Sequence, residues 1–172
     1  MQTLINFSHQ RTSWGLVFVI CALLEVAALY FQYAMGLEPC IKCIYQRLAI
    51  FGMALGAIPA LIKPENAWCR SISYIAVLTS SIWGLKIAND HLEVQNEPNP
   101  LFAVCDTIPD FPAWFNPHVW FPSVFEPRGM CGEISWQFLG LSMPGWMLVI
   151  FAASTILMAT FALASLIKNH KL

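Results

Sequence analysis

Long apolar runs separated by short polar breaks dominate the pattern of this chain. Four stretches approach the ~20 residues that a helix needs to cross a bilayer. The pattern predicts spans at about 14–35, 44–62, 72–88 and 145–167. The third is the shortest, and the fourth carries no charged residue. Pro39 and Pro144 stand just before the second and fourth spans, where a helix start has no use for the N–H that proline lacks. The first span is longer than the ~7–15 apolar residues of a cleavable leader, and no small-residue cleavage motif follows it. Tyr30, Phe31 and Tyr33 follow instead, as an interfacial aromatic belt would. Gly52, Gly56 and Ala60 predict close helix packing.

Between the spans lie loops at 36–43 and 89–144. The longer one has seven acids against one base and prolines at 98, 100, 109, 112, 117, 122 and 127, which excludes long helices and central strands. Its stretch 111–125 is dense in Phe and Trp. We read it as lying along the membrane interface, with a short helix around 117–121. The alternative is a small loop core packed on the helix ends. The expected fold is an all-α membrane protein, one four-span bundle over 1–172.

Composition agrees: 58% of the residues are hydrophobic and 11% are charged, against about 25% charged in a soluble domain. The net charge is −1 and no basic patch exists, so nucleic-acid binding has no electrostatic basis. Arg11, Lys63, Arg70, Lys168 and Lys171 flank one side of the bundle, and Lys42 and Arg128 the other. The positive-inside rule then puts both termini in the cytoplasm and both long-side loops outside. Cys40, Cys43, Cys105 and Cys131 fall on that oxidising side, enough for two disulfides. Cys21, within a span, and Cys69, in the cytoplasm, read as inert thiols.

Cys40-Ile-Lys-Cys43 opens a span. A helix puts i and i+3 on one face, and its first-turn N–H groups stabilise a thiolate. Such a thiol is a good leaving group in disulfide exchange. Zinc usually wants a second close pair, and Cys105 and Cys131 are 26 apart, so no metal is expected. Haem attachment would need His where Ile44 stands. Arg47 lies one turn beyond Cys43, roughly 6 Å deeper. An arginine there must snorkel or find a partner, and it suits stabilising the Cys43 thiolate and a quinone carbonyl. Glu25, an acid mid-span, is a site candidate by default, but the sequence assigns it no role. Lys86 is expected to snorkel outward, and His9 and His118 to be surface residues. Asn6-Phe-Ser8 is a glycosylation pattern on the wrong side of the membrane.

Pro-Cys-Ile-Lys-Cys-Ile-Tyr-Gln-Arg (39–47), Phe102-Ala-Val-Cys-Asp106, Cys131 and Trp136-Gln-Phe-Leu-Gly-Leu-Ser-Met-Pro144 together resemble the DsbB family of bacterial disulfide-bond formation proteins, over nearly the whole chain. The resemblance implies an enzyme of the inner membrane, a protein-disulfide:quinone oxidoreductase. It reoxidises a periplasmic DsbA-type dithiol oxidoreductase and reduces a membrane quinone, ubiquinone or menaquinone. It further implies that Cys105 and Cys131 form the loop disulfide, with Cys105 carrying the mixed disulfide. Cys40 resolves the exchange with Cys131, and Cys43 faces the quinone beside Arg47 and His91. Gln46 and Lys42 depart from the family pattern. Gln46 replaces an acid and puts any proton role there in doubt; Lys42 replaces an apolar residue and touches the redox poise. Two rival classes remain: a non-enzymatic four-span scaffold with structural loop disulfides, and a quinone- or vitamin-K-linked reductase of similar bundle.

Overall fold

The computed structural model describes residues 9–99, 105–106 and 108–169. Asn6-Phe-Ser8, the Phe102-Ala-Val segment, the Lys168 side chain and Lys171 lie outside the described residues. Four helices are long and apolar enough to cross a membrane. They are α1 (Arg11–Tyr33), α2 (Ile41–Ile62), α3 (Ala67–Gln95) and, after two short helices and a hairpin, α6 (Met143–Asn169). α2 packs against both α1 and α3, and α6 packs on α3. One core runs through all four, from Trp14 and Cys21 through Ala49, Met53 and Ala57 to Tyr74, Val77 and Phe151. α2 is the most enclosed helix, whereas α1 and α6 leave Leu16, Leu23, Val26, Ile156 and Leu163 exposed. Such faces suit lipid rather than water.

Helix boundaries differ from the hydropathy pattern where polar groups continue a helix. α3 is the longest, at 29 residues, although its predicted span was the shortest. Its backbone ladder carries on past Ala88 through Asn89, Asp90 and Glu93, out of the apolar stretch, with His91 on its buried face. α2 starts at Ile41 rather than 44 because the Cys40 sulfur caps it, accepting from the Cys43 N–H at 3.3 Å. Asn66 caps α3 in the same manner, accepting from Trp68 N at 2.9 Å. Pro59 interrupts the end of α2, and the adjacent Ala60 N–H donates to the Ser73 hydroxyl of α3 at 3.0 Å.

The long loop carries α4 (Pro117–Trp120), α5 (Pro122–Phe125) and a hairpin of β1 (Gln137–Phe138) and β2 (Leu141–Ser142). The short helix expected near 117–121 is α4. The hairpin turns through Leu139 (φ 51°) and Gly140 (φ 80°), the positive-φ pair that a two-residue turn requires. The aromatic segment divides between the two expected roles. Phe125 packs on Phe51 and Phe111 on Tyr45, which seats the loop on the bundle. Trp114, Val119, Trp120 and Phe121 stay exposed.

The α2–α3 contact depends on a missing side chain. A Cβ at Gly56 would meet Ala76 Cβ at 2.8 Å and the Val77 backbone nitrogen at 3.2 Å. Helix backbone cannot step aside as a side chain can. Gly56→Ala is therefore expected to lower stability by about 1–3 kcal/mol. Gly15→Ala, which meets only Leu61 Cδ1 at 3.5 Å, is expected to be near neutral. Thermal or denaturant unfolding in detergent compares the two.

Candidate functional site

The start of α2, the upper part of α3 and the long loop converge at one end of the bundle. Cys40 and Cys43 lie one turn apart with their sulfurs 2.8 Å from each other. Both are free thiols, whereas Cys105 and Cys131 are joined in a disulfide with Cα atoms 5.9 Å apart. Cys40, Ile41 and Cys131 form a small buried cluster, with Cys43, Tyr45, Val94 and Cys105 packed around it. The expected pairs are thus adjacent, with Cys40 and Cys131 at their junction. The Cys43 sulfur, and after it burial, hold the Cys40 thiol well above the ordinary thiol range.

The loop reaches Cys40 through backbone contacts. Arg128 N and Gly129 N both donate to Pro39 O, at 2.9 and 3.1 Å. A Cβ at Gly129 would run into the Glu38 carbonyl oxygen, so only glycine lets the two backbones approach this closely. Cys131 follows two residues later.

His91 links α3 to this junction. Its Nε2 lies 3.5 Å from Cys40 Sγ, and its Nδ1 lies 3.3 Å from Gln46 Nε2. The Gln46 amide beside Nδ1 selects the ring tautomer: an amide N–H there leaves the ring proton on Nε2, and an amide oxygen leaves it on Nδ1. Gln46 is therefore an orienting partner of His91, a role its position in the sequence did not disclose. Lys42 stands 4.0 Å from Asp90, a solvent-side pair that contributes little.

Arg47 does not snorkel. It is 6% exposed, and its Nη1 donates to Gln32 Oε1 at 3.0 Å and to the Val124 carbonyl oxygen. Its Nε lies 3.7 Å from Glu25 Oε2. Gln32 Nε2 and Tyr33 OH in turn donate to Ser123 O, at 2.9 and 2.5 Å. One guanidinium thus ties α1, α2 and α5 together. Glu25 is 7% exposed, and neither carboxylate oxygen has a hydrogen-bond partner among the described residues. A signal for this pairing existed in the sequence. Glu25 lies eight residues before the end of α1 and Arg47 six residues past the start of α2. In antiparallel neighbours those positions are at similar depth, roughly 9–12 Å down.

A cavity of about 110 Å³ opens between these groups. Glu25, Cys43, Arg47 and His91 reach its wall, and Leu24, Ile50 and Met147 supply apolar surface. A shaped apolar hollow with a few convergent polar groups is the usual form of a small-molecule site. Of the other candidates, Lys86 is exposed and His118 is half-buried, stacked on Phe111 at 5.5 Å. Cys21 is buried and Cys69 half-buried, both unbridged.

Removing one member of a buried ion pair strands the other charge. Glu25→Leu is expected to cost about 3 kcal/mol, and Arg47→Leu a similar amount. The double variant is expected to lose less than the sum, and unfolding of all three in detergent measures the coupling.

The family model described as "Disulfide bond formation protein DsbB" matches residues 10–161. The chain is 43% identical to the disulfide bond formation protein B of Shewanella amazonensis, over 98% of this chain and 99% of that one. It is 47% identical to the protein of the same name from Pseudoalteromonas translucida, over 88% of each chain. With the corresponding Psychromonas ingrahamii protein it shares 42% identity over 95% of this chain and 88% of the relative. The match spans all four long helices and the whole of the cysteine cluster. The chain belongs to the DsbB family of disulfide bond formation proteins and is a multi-pass membrane oxidoreductase.

Proposed function

We propose that this protein oxidises a periplasmic DsbA-type dithiol and passes the electrons, through two cysteine pairs, to a quinone of the bacterial inner membrane. The observation that carries this reading is the contact of the pairs: Cys40 and Cys131 are buried together, while Cys43 and Arg47 border an apolar cavity. Both termini lie in the cytoplasm in this reading, and the long loop faces the periplasm, following the distribution of Lys and Arg.

A partner thiolate attacks the Cys105–Cys131 disulfide at Cys105, and Cys131 leaves as a thiolate. The second partner thiol closes the partner's own disulfide and releases Cys105 reduced. When Cys40 and Cys43 are joined, the Cys131 thiolate attacks Cys40 and breaks that bond. Cys43 leaves as a thiolate. Cys105 then attacks Cys131, which restores the loop disulfide and returns Cys40 as a thiol. Each exchange moves one electron pair and makes one S–S bond for each one broken.

A membrane quinone fits the cavity by its donor set, and when bound it supplies the two-electron acceptor that the cysteines lack. Arg47 would hold a carbonyl oxygen with its guanidinium, a strong donor in dry surroundings. Glu25 holds that guanidinium below the membrane surface. His91 sets its Nε2 against the Cys40 sulfur at the wall of the cavity, in place to pass a proton. Leu24, Ile50 and Met147 give the cavity beside Cys43 apolar surface that suits a lipid-soluble ring. A scaffold whose disulfides serve structure alone has no use for the thiols of Cys40 and Cys43, since two free thiols beside a cavity hold nothing together.

Purified protein, a reduced DsbA-type partner and a soluble quinone provide the test. Partner oxidation is expected only when quinone is present. Cys40→Ser and Cys43→Ser are each expected to stop it, by roughly a thousandfold or more, as when one member of a unit is lost. Turnover by both variants would remove the enzyme reading. Arg47→Lys keeps the charge and loses the planar fork. It is expected to raise the KM for quinone about tenfold, with little change in the KM for the partner.

A further inference from the structure

The thiol, imidazole and disulfide groups at the junction of the two pairs also make up a set of metal donors. Cys40 Sγ, His91 Nε2 and Cys131 Sγ all lie within 4.8 Å of one another and all three residues are buried. Cys43 Sγ stands 2.8 Å from Cys40 Sγ and supplies a fourth donor. Three sulfurs and one imidazole nitrogen are a common set for tetrahedral zinc. With Zn–S about 2.3 Å and Zn–N about 2.0–2.1 Å, a tetrahedron puts sulfur and nitrogen roughly 3.6 Å apart and two sulfurs roughly 3.8 Å apart. The Cys40 Sγ to His91 Nε2 distance is already 3.5 Å. The two α2 sulfurs need to part by about 1 Å, a rotamer adjustment.

We propose that the fully reduced protein binds one zinc-type divalent cation through Cys40, Cys43, Cys131 and His91, and that the oxidised protein does not. The Cys105–Cys131 bond occupies the Cys131 sulfur, so the site opens only when a dithiol has reduced that bond and taken up the disulfide itself. Metal binding then releases the thiol protons to solvent. The sequence argued against zinc because no second close cysteine pair follows Cys40 and Cys43. The fold supplies the missing donors from α3 and from the loop.

The surroundings meet the needs of such a site. A ligating histidine ordinarily hands its other ring N–H to a fixed acceptor. Gln46 sits 3.3 Å from His91 Nδ1, and turning its amide by half a rotation presents the oxygen there. Nε2 then offers its lone pair to the ion. Lys42 and Arg47 flank the cluster on the same helix and offset the surplus charge of three thiolates. A bound ion holds the Cys40 and Cys131 sulfurs together, and so withdraws both pairs from exchange until a chelator removes it.

The experiment uses the full chain in detergent, reduced with a phosphine that is then removed without air, and titrated with Zn²⁺ against a chromophoric chelator. Because a chemical reductant sets the state, the outcome is independent of quinone activity and of the partner. Expected are one Zn²⁺ per chain, its loss on reoxidation, and X-ray absorption showing three sulfurs and one nitrogen. His91→Ala and Cys131→Ser are each expected to weaken binding at least tenfold. Failure to bind overturns the proposal. So does affinity unchanged in both variants, or a two-sulfur shell in the unaltered protein, since either would mean that the Cys40–Cys43 dithiol alone captures the ion.

Discussion

A guanidinium placed a turn and a half down a membrane helix has to be paired or pulled back to water. Arg47 is paired: with the Glu25 carboxylate on α1, with Gln32 at the upper end of α1, and with the Val124 carbonyl of α5. These partners come from separate parts of the chain. The need to satisfy one charge therefore brings the loop down onto the mouth of the bundle and holds α1 against α2. Gln32 and Tyr33 extend the same attachment to Ser123, and Phe125 follows by packing on Phe51.

The cysteine cluster depends on that seating. A long, proline-rich loop with only two one-turn helices and a short hairpin has little of its own to hold it in place. Here it is tied at several points: at Arg47, at Tyr45, whose hydroxyl receives the Asp110 N–H, and at Pro39, which receives two N–H groups from Arg128 and Gly129. Gln95 makes a further tie, to the Ser142 hydroxyl at the foot of the hairpin. Cys131 lies within this net, between the Pro39 contact and the hairpin. Its burial against Cys40 follows from the loop's attachments, and the disulfide to Cys105 draws the remaining segment in.

α3 makes the other contribution. By extending beyond its apolar stretch it carries His91 up to the level of the cysteines. The histidine there meets Cys40, Gln46 and the Cys131 sulfur at once. A buried imidazole among sulfurs can orient a proton or ligate a metal, depending on which ring nitrogen carries hydrogen. The amide of Gln46 is able to support either tautomer. An acid at that position would accept only, and would commit the ring to one of them.

Much of this was legible in the amino-acid order alone. Four apolar runs determine four helices, since a backbone in lipid must satisfy its own hydrogen bonds. Cys-x-x-Cys at a helix start, and an arginine one turn on, determine where thiol chemistry is concentrated. The short helix near 117–121 was readable from its proline, and so was the tight contact at Gly56. Other features were decided by tertiary structure. Hydropathy registers the apolar stretch, whereas backbone hydrogen bonding continues through polar residues, so the extent of α3 and the start of α2 escaped it. The bonds of Arg47 to Gln32 and Val124, the orientation of His91 by Gln46 and the meeting of Cys40 with Cys131 are contacts between residues 15 to 91 positions apart. No local pattern encodes such distances. They arise when neighbouring helices at equal depth must satisfy each other's buried polar groups.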